Sequence, residues 1–431
     1  MYAGIYSADA RIKSENLEEE KVHIVFLIHA FPEPGRQTGG GAGNYVANMS
    51  RILCRNGHKV RIITESDSDS IFEWEGIEIR HIRATRYFRD TGRKMTVWKK
   101  TRKNLWRSIF YNYEVYKINK EERIDVVQSV SVFSIAFLRC RKIPYLIRLS
   151  DYPTLMRAAV RESYSFNEAI RQETIDDKLF YLTIKKADAL VAPSVLMQRL
   201  ITKRTGKEVT VVESPFISSD YEGDKNLQKS KYFLSFGFLN YRKGIHTLAQ
   251  IIDRLLDEYK DMEYIIVGKD CELETAGGYI RGSQFVKSMV TRNRERLIIR
   301  GEIYDRGELF SLIKNSYLCI LPSRIDNLAN SWLEAMGLGK IVISSDQSSA
   351  EQLIMDGYNG YLAPIDDAEA LYHKIKCAMQ LSESDRKKME DRAKKRIETL
   401  APEKVYEKMM VVYRETIDNF NRKQKKVYRI Q

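Results

Sequence analysis

Short and almost wholly apolar runs recur along this chain of 431 residues, with helical patterns between them. The first run, residues 22–28, is typical of a strand that is buried on both faces of a parallel sheet. Comparable runs form a first series at residues 59–64, 77–82, 124–127, 144–149 and 189–191. A second series follows at residues 232–236, 263–267, 297–300, 318–321 and 341–344. This alternation of strand and helix predicts an α/β fold with two doubly wound, Rossmann-like sheets.

A stretch rich in Ser, Asp, Gly and Lys, residues 213–230, separates the two series and indicates an interdomain linker. We therefore expect an N-terminal domain at residues 21–212 and a C-terminal domain at residues 231–402. Residues 403–431 carry one long amphipathic helical pattern. The length suits two domains at about 150 residues each.

The apolar runs, the first 20 residues and the cysteines together indicate the cellular compartment. No apolar run approaches the roughly 18 residues that span a bilayer, and residues 1–20 lack the apolar core of a signal peptide. The five cysteines are scattered, without the spacing of a metal site. We expect a cytoplasmic protein without a bound metal, peripheral on the inner face of the membrane if its basic segment binds there.

That basic segment, residues 80–120, holds 13 lysines and arginines against two carboxylates, Asp90 and Glu114. Aromatic residues are interleaved with the cations. The combination suits an anionic membrane surface, where each cation contributes about 1 kcal/mol, and it would also suit a nucleic-acid backbone. A solvated helical face with its aromatics in the core is the plain alternative. We favour the membrane surface and expect no nucleic-acid partner.

A glycine segment, Gly39-Gly40-Gly41-Ala42-Gly43, stands between the first predicted strand and a helical pattern at residues 44–56. Glycines at such a place let backbone N–H groups approach a phosphate without obstruction by Cβ atoms. The spacing differs from that of the dinucleotide-binding fingerprint. A flexible surface turn is the alternative.

Arg242 and Lys243 lie at the start of the helix predicted at residues 244–259. Cations there oppose the helix macrodipole and cost about 0.3–1 kcal/mol each. An anionic ligand, such as a diphosphate, would explain them. Two solvated surface cations are the alternative.

Asp326 and Glu334 flank the junction between the run at residues 318–321 and a predicted helix. At the carboxyl edge of a parallel sheet both could face one ligand, beside the N–H groups of the helix's first turn. Carboxylates bind hydroxyls and the N–H groups bind an anion, so a sugar nucleotide fits. The alternative is a capping box from Ser331 to Glu334, which leaves Asp326, Asn327 and Asn330 unexplained.

Taken in order, these segments resemble the retaining glycosyltransferases of the GT-B fold, a group that includes bacterial mannosyl- and glucosyltransferases. The resemblance begins with the glycine segment and residues 55–60, and continues with Arg242-Lys243-Gly244. It extends through residues 322–336 and 339–342, which resemble a two-carboxylate motif, to Asp356-Gly357-Tyr358-Asn359-Gly360. In both domains the order and spacing agree.

The resemblance implies roles for individual residues. Lys243, with Arg242, would bind the donor diphosphate, which Gly40 and Gly41 would approach from the other domain. Glu334 would bind the ribose, and Asp326 the hydroxyls of the transferred sugar. Beside Asp326 would lie the backbone N–H groups of Asn327, Leu328, Ala329 and Asn330. Lys243 and Asp326 would be the catalytic residues, and the final helix would cross back to the N-terminal domain.

The activity implied is transfer of a hexose-type sugar from a nucleoside diphosphate sugar to a glycan or lipid-linked acceptor. It would serve cell-surface polysaccharide or glycolipid synthesis, without a metal or another cofactor. The chain departs from the group at Asp326, where glutamate is usual, and at Phe238, where arginine is common. Gln128 and Ser150 stand where histidines are frequent, so no general base is named. A non-catalytic relative that binds a sugar nucleotide or supports a partner transferase is the alternative.

Overall fold

A computed structural model describes residues 21–33, 40–86, 88, 96–217 and 231–428. Within these residues the chain forms two α/β domains, each built on its own sheet, so the predicted fold class is confirmed. Residues 218–230 of the predicted linker, and residues 429–431 of the predicted final helix, lie outside the described ranges.

The first sheet has eight strands: β1 (His23–Ile28), β2 (Lys59–Glu65), β3 (Ser70–Trp74), β4 (Ile77–Ile82), β5 (Val126–Val130), β6 (Tyr145–Arg148), β7 (Ala189–Ala192) and β8 (Thr210–Val211). Their order is β3-β4-β2-β1-β5-β6-β7-β8. All neighbours are parallel except β3, which is antiparallel to β4. The helices of this domain are α1 (Gly40–Arg55), α2 (Val97–Glu121), α3 (Pro153–Ala159), α4 (Phe166–Ala169), α5 (Ile175–Lys186) and α6 (Val195–Thr205).

Local sequence explains these elements. All six residues of β1 are buried, because the strand lies in the middle of a sheet that is covered on both faces. Helix α6 begins after Ser194, whose side chain accepts a hydrogen bond from the N–H of Met197, and ends at Gly206 in the left-handed region (φ +72°).

The glycine segment differs from its prediction. Helix α1 begins at Gly40 (φ +64°) rather than near residue 44. Gly40, Gly41 and Gly43 therefore form the first turn of a helix, and the surface-turn alternative is wrong for them. Gly39 lies outside the described residues.

The second sheet contains β9 (Lys231–Phe236), β10 (Met262–Val267), β13 (Leu297–Arg300), β14 (Leu318–Leu321), β15 (Val342–Ser345) and β16 (Tyr361–Ala363). Its order is β13-β10-β9-β14-β15-β16, and every neighbouring pair is parallel. A separate hairpin joins β11 (Glu272–Thr275) to β12 (Gly278–Arg281). The helices are α7 (Ile245–Glu258), α8 (Gly282–Met289), α9 (Arg306–Asn315), α10 (Asn330–Gly337), α11 (Ala368–Met379) and α12 (Glu383–Glu398).

The last helix, α13 (Pro402–Tyr428), packs on the first domain. Its residues Val405, Met409 and Tyr413 belong to the core of that domain. The hydroxyl of Tyr406 lies 2.8 Å from Nε2 of His58, and that of Tyr413 donates to the side-chain oxygen of Gln128. The predicted return of the final helix is confirmed.

Two segments connect the domains, and they lie side by side. The N–H of Phe216, after β8, donates to the carbonyl of Leu400 at 2.9 Å, before α13. Glu213 and Arg396 form an ion pair at 2.5 Å. The first crossing of the chain is therefore bonded to the second.

Candidate active site

The Lys-Gly element and the carboxylate motif meet at the carboxyl edge of the second sheet. Strands β9 and β14 are neighbours, so the segments that follow them lie next to each other. Gly244 (φ +74°) touches the second segment: a Cβ atom there would lie 2.0 Å from the carbonyl oxygen of Pro322. Only glycine permits this approach, which brings Lys243 to the carboxylate motif.

Lys243 and Arg242 both contact Asp326. The Nζ of Lys243 lies 2.5 Å from Oδ2 of Asp326, and an Arg242 nitrogen lies 3.4 Å from the same oxygen. Lys243 belongs to a short 3-10 turn. Its backbone N–H donates to the side-chain oxygen of Asn240 at 3.1 Å. The alternative of two solvated surface cations is therefore wrong.

Hydrogen bonds from the segment that follows β15 hold the backbone around Asp326. The N–H of Asp326 donates to the carbonyl of Ser348 at 2.9 Å, and its carbonyl accepts from the hydroxyl of Ser349 at 2.8 Å. The Ser349 hydroxyl also accepts from the N–H of Leu328, a residue in the left-handed region (φ +60°). Three hydrogen bonds thus hold the segment that carries the carboxylate.

The ion pair between Lys243 and Asp326 shifts the pKa of both side chains. Burial acts to raise the pKa of Asp326, but Lys243, Arg242 and the N–H of Asn327 outweigh it and lower that pKa. Burial also lowers the pKa of Lys243, although Asp326 opposes this. Asp326 is therefore a carboxylate over the whole neutral range, and its charge is largely compensated.

Glu334 lies on α10, with 11% of its side chain exposed, and an Arg306 nitrogen lies 3.3 Å from its Oε1. Burial raises the pKa of Glu334, and Arg306 and Lys243 act against that rise. Helix α10 begins at Asn330 after Ala329, without a capping side chain, so the capping-box alternative is wrong.

Of the remaining predicted residues, Gly41, Asn327 and Asn330 lie at the interface of the domains, whereas Leu328 and Ala329 are buried in the core of the second domain. Gly41 stands opposite Asn330, since a Cβ at Gly41 would lie 3.8 Å from the amide nitrogen of Asn330. The first turns of α1 and α10 therefore face each other. The side chain of Asn327 instead bonds the first domain, donating to the Leu149 carbonyl at 2.6 Å and accepting from Ser194 at 2.8 Å.

Arg324, two residues before Asp326, also joins the domains. It is 2% exposed and donates to the carbonyls of Arg161 (2.5 Å) and Glu162 (2.9 Å), and to Asp366 of its own domain (2.8 Å). A buried guanidinium with this many partners holds the two domains together beside the site in the arrangement described here.

Asp151, a residue of the first domain that was not singled out from the sequence, lies on the opposite side of the cleft between the domains. It follows β6, and burial raises its pKa to about 6, although Arg242 and the N–H of Tyr152 lower it. Helix α3, which follows Asp151, contacts the 3-10 turn that carries Arg242 and Lys243, so this carboxyl lies near the Lys243–Asp326 pair. A carboxylate directly after a buried parallel strand was the signal in the sequence.

A cavity of about 570 Å³ lies between the domains next to Glu334. Its wall in the first domain includes Asn44, Arg51 and Trp74, and its wall in the second includes Tyr304 and Arg306. Volumes of this size accommodate a nucleotide-sized ligand.

In the described ranges no group of three His, Cys, Asp or Glu side chains is placed to hold a metal ion, and the metal-free site stays a prediction. None of the described helices combines the length and the apolarity that a bilayer crossing requires.

Two family models match the chain. The one described as Glycosyltransferase Family 4 matches residues 39–216, and the one described as Glycosyl transferases group 1 matches residues 219–396. A sucrose-phosphate synthase from Thermosynechococcus elongatus has the same fold, with a TM-score of 0.70 at 16% identity over 91% of this chain and 98% of that one. The chain belongs to the GT-B-fold glycosyltransferases.

Relatives in sequence are distant. An uncharacterized glycosyltransferase from Methanocaldococcus jannaschii is 26% identical over 215 residues, 46% of this chain and 51% of that protein. The chain spans about half the length, or less, of the first relatives that it matches. An alpha-1,4-N-acetyl-D-galactosaminyltransferase from Campylobacter jejuni is 23% identical over 376 residues, 83% of this chain and 90% of that one.

Proposed function

We propose that this chain is a retaining glycosyltransferase that moves a hexose-type sugar from a nucleoside diphosphate sugar to a glycan or lipid-linked acceptor. The observation that carries the proposal is the cluster of Lys243, Arg242, Asp326 and Glu334, opposite the glycine turn of α1. Cations and helix N-termini suit a diphosphate, whereas carboxylates suit hydroxyl groups. A sugar nucleotide needs both.

The donor would lie along the second domain, residues 231–402. Its diphosphate would lie between Lys243 and the facing first turns of α1 and α10, near Gly41 and Asn330. Glu334 would accept hydrogen bonds from the ribose, with the nucleoside in the adjoining cavity. Asp326 would bind hydroxyls of the sugar.

The acceptor would lie on the wall of the first domain, residues 21–212. Asp151, in the segment between β6 and α3, would accept a hydrogen bond from the acceptor hydroxyl while its carboxyl is ionised. The Campylobacter jejuni relative is named for a saccharide on PP-undecaprenol, which supports a lipid-linked acceptor for this chain as well. Synthesis of a cell-surface polysaccharide or glycolipid would use such a product.

The geometry supports attack on the face from which the diphosphate leaves. Because Lys243 compensates the charge of Asp326, that carboxylate is a weak nucleophile, and a covalent glycosyl-enzyme step has no support here. The bond from the anomeric carbon to the diphosphate oxygen breaks, and the acceptor oxygen bonds to that carbon. The acceptor proton passes to the departing diphosphate, whose growing charge Lys243 and Arg242 stabilise.

The test compares Lys243→Ala with Lys314→Ala, a substitution of an exposed lysine on α9. Release of nucleoside diphosphate from a panel of donors, with a polyprenol-linked acceptor, is measured for each variant. We expect about 100- to 1,000-fold slower transfer for Lys243→Ala and an unchanged rate for the control. Equal rates in the two variants would refute the role of Lys243. Donor binding without turnover in the unmodified chain would favour the non-catalytic alternative.

A further inference from the structure

Helix α2 has an outer face that the described part of the chain leaves uncovered. Five large side chains along it are exposed: Trp98 (66%), Tyr113 (56%), Tyr116 (45%), Ile109 (41%) and Trp106 (36%), the last of which also stacks on Phe110. Their spacing places them on one stripe of the helix. A contiguous apolar stripe of this kind on a surface marks an interaction site.

Cations accompany the stripe. Arg102 and Lys120 lie on it, and Lys99 and Lys103 lie beside it. Among the described residues, no acidic partner is found for the side chains of Lys99, Arg102 and Lys103. The outer face of α2 is therefore both basic and rich in aromatic rings.

Other cations of the basic segment do not contribute to this face. Arg80 is buried and pairs with Glu78, Glu114 and Glu121, so the part of our membrane prediction that began at Arg80 is wrong. Arg107 pairs with Glu65. Residues 87 and 89–95 lie outside the described ranges.

The first half of α2 lies at the edge of the sheet that faces the cleft. Arg107 contacts Glu65, the last residue of β2, at 2.9 Å. Lys100 lies 3.3 Å from Asp176 of α5, and its charge acts on Asp151 in the cleft wall. The face of α2 opposite the stripe thus lies beside the place proposed for the acceptor.

We propose that the outer face of α2 docks on an anionic lipid surface and so presents the cleft to an acceptor held in the membrane. This inference rests on the proposed function for the identity of the acceptor. A helix of 25 residues is about 37 Å long, and it can lie flat on the surface. Tryptophan and tyrosine rings favour the headgroup region, and each lysine or arginine gains about 1 kcal/mol from anionic lipid.

A nucleic acid suits the same face less well. Ile109 and Val97 are 41% and 43% exposed, and a phosphodiester backbone offers these aliphatic side chains no partner. A bilayer interface does, because part of its depth is hydrocarbon.

The experiment measures partition of the full chain onto vesicles of phosphatidylglycerol and phosphatidylcholine, and onto vesicles of phosphatidylcholine alone. Two double variants, Trp98→Ser with Trp106→Ser and Lys99→Glu with Arg102→Glu, alter the stripe. Lys260→Glu with Lys395→Glu is the matched control, since both lysines are exposed in or near the second domain. We expect each stripe variant to weaken partition onto the anionic vesicles by about tenfold or more, and the control to leave it within about twofold.

Equal partition of stripe and control variants overturns the docking face, as does binding of single-stranded RNA without partition onto vesicles. Transfer to a water-soluble acceptor analogue is measured on the same proteins. Transfer without vesicle binding would refute the proposed docking face and leave the proposed function standing. Vesicle binding through the stripe, without transfer from any donor, would refute the proposed function and leave the docking face standing.

Discussion

The contact at Gly244 gives a sharp prediction about how the site is held together. In Gly244→Ala the new Cβ would lie 2.0 Å from the carbonyl oxygen of Pro322, whereas ordinary contacts begin near 3.4 Å. The segments after β9 and β14 would have to separate by about 1.4 Å, or the turn would have to change its conformation. These are the segments that carry Lys243 and Asp326.

The energetic cost has two parts that can be separated. The left-handed backbone (φ +74°) costs an alanine about 1–2 kcal/mol, and the overlap adds about 1–3 kcal/mol. Gly206 is the matched control. It has φ +72°, and no atom of the described residues lies within 4 Å of its would-be Cβ. Gly206→Ala should therefore show the backbone cost alone.

The assay is urea unfolding of both variants together with their transfer rates. We expect Gly244→Ala to lose about 2–5 kcal/mol and Gly206→Ala about 1–2 kcal/mol. A misplacement of about 1 Å in the site slows transfer by roughly 100-fold, so the rate should fall in Gly244→Ala alone. Equal destabilisation of the two variants, with equal rates, would refute the reasoning.

Two further predictions concern the carboxyl groups of the cleft. Glu334→Ala removes the proposed acceptor of the ribose hydroxyls. It should weaken nucleoside diphosphate binding, measured by calorimetry, by about 10- to 100-fold, whereas Glu308→Ala on α9 should not. Unchanged affinity in Glu334→Ala would contradict the ribose role. Because the pKa of Asp151 is raised to about 6, the carboxylate is lost below that pH, so transfer should fall as pH drops through about 6. Asp151→Asn should transfer slowly at every pH with unchanged affinity for the diphosphate, and a retained pH-dependent fall would refute the assignment.

The parallel strands could be predicted from sequence because burial on both faces demands continuous apolar runs, as in β1. Strand β3 and the hairpin of β11 and β12 could not. These short strands are largely exposed and lack that pattern. The start of α1 was misplaced because a run of glycines predicts a loop, although a glycine with positive φ can open a helix.

The residues of the second-domain cluster could be named because they follow predicted strands and resemble a known motif. Their contacts could not be predicted, since Lys243 and Asp326 are 83 residues apart and meet only through the order of β9 and β14. Asn327 lay in the predicted donor motif, but its side chain bonds the first domain. The sequence predicted Arg80 as part of a basic surface, but in the fold three carboxylates pair with it, those of Glu78, Glu114 and Glu121. Both outcomes depend on tertiary contacts that sequence spacing does not record.

The paired crossings at Phe216 and Leu400 have a mechanical consequence. A single segment between two domains lets one domain swivel on the other, whereas two segments joined by a hydrogen bond and an ion pair resist twisting. Opening and closing of the cleft should therefore follow one repeated arc. On such an arc the glycine turn of α1 returns to its position opposite Asn330 each time the cleft closes. The two connecting segments would therefore set the alignment of the proposed donor and acceptor sites.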